Sequence, residues 1–160
     1  MNLDKYTTTH LEDFVNLLYF NKGVTKPEQL TISHLSSVLD VTVNFGVISF
    51  AYEKRGQKII YINEKLSDDE KRIDFFHELC HIYRHEGNQL NMHKMMKEWQ
   101  EWDCFNFSLY ASMPIFMVRS MSLPAAQEDI ALFFSNFFHV SYELAALRVI
   151  QIFRRINQLA

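Results

Sequence analysis

Apolar positions recur at helical spacing at both ends of this chain and at strand spacing between them. Leu3, Tyr6, His10, Phe14, Leu17 and Leu18 fall close to a 3.6-residue period, which predicts a helix over 3–20, ended by Asn21-Lys22-Gly23. Thr25 is positioned to cap a second helix, with Pro27 in its first turn and Glu28 three residues on, running to about Leu39. The pattern then changes. Val41 to Val43 is short and β-branched, and Val47 to Tyr52 and Lys58 to Ile62 both have the composition of strands. Between the last two lies Glu53-Lys54-Arg55-Gly56, a charged turn with glycine that predicts a β-hairpin.

Ser67-Asp68-Asp69-Glu70 is a capping box with acids in the first turn, so a helix starts there, and Gly87 is its expected stop. After the polar stretch 88–91, a helix is expected from about Met92 to Ala111, ended by Pro114. Residues 113–123 are apolar and are expected as a loop or extended segment buried over the core. Pro124 opens a helix to about Phe134. Ser141 caps a last one to about Gln158, with Arg148, Arg154 and Arg155 toward its cation-preferring end. Helices, a small sheet, then helices make an α+β fold. At 160 residues the simplest organisation is one domain: N-terminal helices over 1–40, a small sheet over 41–63, two helices over 67–114 and C-terminal helices over 124–158.

Composition narrows the function classes. The net charge is −3 with no basic block, so no electrostatic footprint for direct nucleic-acid binding is present. No apolar run approaches membrane-span length, and the first residues lack the layout of a signal peptide. A cytoplasmic protein is expected. Two cysteines support no disulfide framework, and Cys80 and Cys104 are expected as small reduced core residues.

The chemistry concentrates at His77-Glu78-Leu79-Cys80-His81, an H-E-x-x-H run. Random placement of this chain's His and Glu gives roughly 0.02 such matches. On a helix, positions i and i+4 share a face, so both imidazoles can meet one metal ion with the carboxylate beside them placed to handle a water. On a helical wheel His77, His81, Asp74, His85 and Glu78 occupy one wedge, and Ile73, Phe75, Phe76, Leu79, Cys80, Ile82 and Tyr83 fill the rest. The helix is therefore a core helix with one polar slot.

A zinc ion with two His needs a third protein ligand and an open position. The pattern H-E-x-x-H-x-x-G-x-x-H is excluded, because Arg84 and Gly87 stand where Gly and His would be required. A ligand from the following helix remains: Glu101, with Glu98, Asp103 and Cys104 as rivals. Glu101 and Asp103 are about 200° apart on a helix, so only one can face the ion. His85 is one turn beyond His81 and is expected as an outer partner of the ligands. Zn2+ lowers the pKa of water toward ~7, and Glu78 can accept that water's proton and pass it to a leaving amine. No G-x-S-x-G elbow is present for a nucleophilic route.

At this point the chain resembles the ImmA/IrrE family of zinc metallopeptidases, found in bacteria, phages and mobile elements. Phe75 to His85 is similar to the family's F-x-H-E-L-G-H run with its frequent later His. Glu101 to Pro114 is similar to its E-x-E-A-x-x-F-A-x-x-L-L-M-P helix, and Ile130 through Phe138-His139-Val140-Ser141 to Arg148 is similar to its F-G-V-S segment and following helix. Cys80, Asp103-Cys104 and His139 depart from that pattern. The resemblance implies His77, His81 and Glu101 as zinc ligands, with Asp103 the alternative third ligand, and Glu78 as general base. It also implies a zinc endopeptidase whose protein substrate is a helix-turn-helix repressor of a phage or mobile element. A non-cleaving regulator that binds a repressor or antirepressor is the alternative. His85 and Tyr110 are expected near the substrate or the ligands, and the transition-state donor stays open among His85, His93, Tyr110 and His139. The hairpin edge over 47–62 can accept a substrate segment as an added strand.

Overall fold

The computed structural model describes residues 3–85 and 93–158. Its elements are α1 (His10–Asn21), α2 (Ile32–Val38), β1 (Val41–Gly46), β2 (Phe50–Lys54), β3 (Gln57–Asn63), α3 (Asp68–Arg84), α4 (Lys94–Ser112), α5 (Ile115–Arg119), α6 (Gln127–Phe138) and α7 (Tyr142–Gln158), an α+β fold. The chain divides into two compact units, Glu28–Ser108 and Met1–Pro27 with Leu109–Ala160.

The unit Glu28–Ser108 is built on a three-stranded sheet in the order β1-β3-β2. The turn between β2 and β3 is the expected hairpin: Arg55 and Gly56 both adopt positive φ, which is what a two-residue turn matched to strand twist requires. β2 pairs with β3 antiparallel, Phe50 opposite Tyr61, and β1 pairs with β3 in parallel on the other side, Val41 opposite Lys58. β3 is therefore central, and its Ile60 and Ile62 are fully buried. The expected strand over 47–52 begins three residues later. Val47 and Ile48, exposed by 73% and 65%, belong to the bend that carries the chain from β1 to β2.

Helix α3 packs against β2 and β3. Ser67 accepts from the Glu70 N–H while the Glu70 carboxylate accepts from the Ser67 N–H, the reciprocal cap expected from the sequence. Phe75, Phe76, Leu79 and Cys80 bury completely. The helix ends at Arg84, with His85 already in extended backbone (φ −120, ψ 124). Gly87 and the polar stretch 88–91 lie outside the described residues. α2 is shorter than expected. Its cap is Thr31, not Thr25, and Pro27–Gln29 forms a separate single 3-10 turn.

The other unit holds α1 and α5–α7. Residues 3–20 do not form one helix: Leu3–Lys5 is a 3-10 turn, and Thr9, with Glu12 three residues on, makes the capping box that starts α1. Residues 113–123 are not a loop throughout, because Pro114 supplies an extended cap from which α5 runs, with Ile115, Met117 and Val118 buried. Arg148 of α7 is fully buried, donates to Glu12 Oε1 at 2.7 Å and lies over the Tyr110 ring at 4.7 Å. Its position on the helix is set by the apolar stripe it shares with Ala145, Val149 and Ile152, all buried. Among the described residues no helix is long and apolar enough to cross a membrane.

Candidate metal centre

Four residues from α3 and α4 converge in the unit Glu28–Ser108. His77 and His81, one turn apart, turn their rings edge to face with Nε2 atoms 3.2 Å apart. From α4, Glu101 puts Oε2 3.2 Å from His77 Nε2 and Oε1 3.7 Å from His81 Nε2. Cys104, one turn further along α4, has Sγ 3.6 Å from both ring nitrogens of His81.

These separations can be tested against a cation. Bonds of about 2.0–2.2 Å in a tetrahedral array put nitrogen and oxygen donors roughly 3.3–3.6 Å apart. The three separations among His77, His81 and Glu101, at 3.2, 3.2 and 3.7 Å, lie close to that edge length, the latter two running to different oxygens of Glu101. Cys104 fits less well, since a sulfur equidistant from both nitrogens of one imidazole stands over the ring and not in front of either lone pair. His77, His81 and Cys104 nonetheless form a possible metal-holding group, with ligand atoms within 4.8 Å of one another.

Electrostatics favour the ligand form. Burial, with His77 beside it, pushes the His81 imidazole down to about 4, so the ring is neutral and its lone pair available at ordinary pH. Glu78 is buried between the two histidines in sequence. Desolvation, reinforced by the charges of Asp74 and Glu101, pushes its carboxyl from the ordinary 4.5 up to about 8. Asp74 is itself held. It accepts a short hydrogen bond from the Ser49 hydroxyl, and Ser49 Oγ accepts from the Asn63 N–H at 2.8 Å, so the end of β3 orients the acid one turn before Glu78.

The other expected site residues go elsewhere. Asp103 is buried and accepts from Arg84 at 2.7 and 3.3 Å, with His85 Nε2 3.3 Å from its Oδ2. Glu98 is exposed and pairs with Lys94 at 3.7 Å. The His85 ring lies 5.6 Å from that of His81, and burial holds its imidazole below the usual range. Tyr110 is in the other unit, against Arg148, where burial raises its phenol. His139 caps α6 in left-handed backbone. Sequence reasoning missed Ser49, which lies between the bend at 47–48 and β2 with no periodic signal. Cys104, named among the rivals of Glu101 for third ligand, does approach His81.

Comparison with known proteins agrees with the motif. Residues 42–149 match the model of peptidase M78, the IrrE N-terminal-like domain. The chain is 33% identical over 155 residues to the Bacillus subtilis (strain 168) protein named "Uncharacterized protein YqaB", covering 96% of this chain and 90% of that protein. It is 33% identical over 150 residues to the phage-like element PBSX protein XkdA of the same organism, covering 92% of this chain and 75% of that protein. The fold and the H-E-x-x-H helix define a metallopeptidase-type domain. The chain belongs to the IrrE N-terminal-like, or peptidase M78, family.

Proposed function

We propose that this chain is a zinc-dependent endopeptidase in which His77, His81 and Glu101 hold the ion and Glu78 is the general base. The observation that carries the reading is the closure of two Nε2 atoms and one carboxylate to 3.2–3.7 Å, with Glu78 buried on the same helix. When bound, zinc supplies a lowered water pKa and a polarised substrate carbonyl. Glu78 takes the proton of the attacking water and hands it to the leaving amine nitrogen, so it must cycle between its two protonation states. In the metal-free chain burial, the Ser49-anchored Asp74 and Glu101 raise its pKa, and this opposes the lowering that a bound cation would bring. His81, neutral through desolvation, keeps its lone pair for the ion.

The substrate in this reading is a protein segment laid along the outer edge of β2, which among the described residues pairs with β3 on one side. Phe50 and Tyr52 stack at 6.0 Å on that strand and give the edge an apolar rail. The relative named for the phage-like element PBSX supports a mobile-element setting, and a helix-turn-helix repressor of such an element is the target in this reading. The test incubates purified chain, zinc and candidate helix-turn-helix repressors from the same genome, and follows cleavage by mass spectrometry. Glu78→Gln is expected to keep the metal and abolish cleavage. Repressor inactivation that survives Glu78→Gln with zinc still bound would instead mean a non-cleaving regulator.

A further inference from the structure

Cys80 and Cys104 stand where the motif pattern quoted above has Gly and Ala, and both are fully buried. They come from α3 and α4 and face each other. Cys80 Sγ, His85 Nε2 and Cys104 Sγ form a group whose ligand atoms all lie within 4.8 Å of one another. The Cys80 to His85 separation is that of a coordination edge, and Asp103 lies next to both. Cys80 Sγ is 3.6 Å from His85 Nε2 and 3.8 Å from Asp103 Oδ2, and His85 Nε2 is 3.3 Å from the same oxygen. Bonds of about 2.3 Å to sulfur and about 2.0–2.2 Å to nitrogen or oxygen predict sulfur-to-nitrogen or sulfur-to-oxygen edges of roughly 3.5–3.7 Å, and a nitrogen-to-oxygen edge of roughly 3.4 Å.

We propose that Cys80, Cys104 and His85 form a second cation site that takes a thiophilic d10 ion such as zinc. Sulfur donors select that chemistry over magnesium or calcium. Two buried thiols and one imidazole supply three protein donors, and the Asp103 carboxylate, held by Arg84, lies beside them. Binding replaces two S–H bonds by two sulfur–metal bonds and releases two protons to solvent. The two thiolates match the ion's charge, and the neighbouring Asp103 carboxylate is matched by Arg84 at 2.7 Å. The site would pin the end of α3 to α4 one turn from Glu101 and one residue from His81, fixing the spacing of the other metal centre. Cys104 is assigned here and not to the His77–His81 pair, because its sulfur stands over the His81 ring.

The test loads the reduced full chain with Co2+ under anaerobic conditions. Bound metal is counted by elemental analysis, and thiolate-to-cobalt charge transfer is read in the near ultraviolet. Two equivalents and a charge-transfer band are expected for the unmodified chain. His77→Ala/His81→Ala should drop to one equivalent with the band intact, and Cys80→Ser/Cys104→Ser to one equivalent without it. Absence of the band in the unmodified chain overturns the proposal. So does a band that vanishes in His77→Ala/His81→Ala, which would give Cys104 to the other centre. Both of these decisions use chains with both cysteines in place, so misfolding of the double Ser variant does not protect the proposal.

Discussion

Arg84 closes on Asp103 with two hydrogen bonds, Nε to Oδ2 at 2.7 Å and Nη2 to Oδ1 at 3.3 Å, and that pairing separates the two acids that compete for the His77–His81 ion. Held by Arg84, the Asp103 carboxylate is turned toward Cys80 and His85 at the end of α3 and not toward His77 and His81. Glu101, 42% exposed, reaches both. In a Cys80→Ser/Cys104→Ser background, where only the His pair is counted, Glu101→Ala should weaken zinc binding by at least about tenfold. Asp103→Ala should leave that affinity within a factor of about three and instead destabilise the fold by about 1–3 kcal/mol, through the buried polar partners it abandons. Competition with a chromophoric chelator reads the affinity and urea unfolding reads the stability. Loss of the ion in Asp103→Ala with retention in Glu101→Ala would reverse the assignment.

Glu78 sets a pH dependence that can be measured without any substrate. Its folded-state pKa of about 8 lies above its ordinary 4.5, so the metal-free folded state keeps a proton that the unfolded chain has lost. Stability contributed by that proton is complete below about pH 4.5, declines as pH rises between the two values and is gone above about pH 8. Glu78→Gln removes the titration. In chelator-treated protein the variant should match wild type near pH 5 and exceed it at pH 9, by about 3–5 kcal/mol. Equal stability of the two proteins across that range would show that Glu78 is not desolvated as described. Zinc should erase the difference, since a cation beside the carboxyl favours its charged form.

Asp74 acts on Glu78 through charge, and Ser49 holds Asp74 in place. Asp74→Asn removes a negative neighbour and should lower the Glu78 pKa in the metal-free protein, which carbon-detected NMR of the side-chain carboxyl reports. Ser49→Ala should lower it less, because the charge stays while its position loosens. A Glu78 titration unmoved by Asp74→Asn would leave burial and the Glu101 charge as the causes.

Local signals were legible in the sequence and non-local ones were not. The Ser67 capping box, the Arg55-Gly56 turn and the i, i+4 histidines each depend on residues within a few positions of one another, and each stands where expected. The parallel pairing of β1 with β3 spans the whole of β2, and no periodicity encodes it. Val47 and Ile48 have strand composition but fall in a bend, since apolar content alone does not distinguish a strand from a turn that exposes its side chains. Pro114 ends α4 as expected, yet it also starts α5, a role available to any proline at a helix start. Within the candidate centre, His77, Glu78 and His81 come from one helix and were readable. The choice of Glu101 over Asp103 rests on Arg84, whose partner lies 19 residues away.

Arg148 is the sharpest case, because the sequence placed it among cations favouring a helix end and the structure buries it completely. Its charge on the Ala145–Ile152 stripe must be matched, and Glu12 does so at 2.7 Å, with the Tyr6 hydroxyl donating to the same carboxylate oxygen. Burial alone would raise the Glu12 carboxyl. Arg148, the Tyr6 hydroxyl and the Thr9 N–H outweigh it, and the net direction is down. A carboxyl whose folded pKa is lowered contributes stability present above its unfolded pKa and lost as pH falls through the folded one. Arg148→Ala strands Glu12 with only the part-exposed Arg155 at 3.3 Å and should destabilise by about 3–5 kcal/mol. Arg148→Met/Glu12→Leu replaces both charges with apolar side chains and should come within about 2 kcal/mol of wild type, in either direction. The double variant should also lose the Glu12 share of acid sensitivity, so its urea midpoint falls less than wild type between pH 5 and pH 3. If the single and double variants were equally destabilised, the cost would lie in lost packing around Arg148 and not in an unmatched charge.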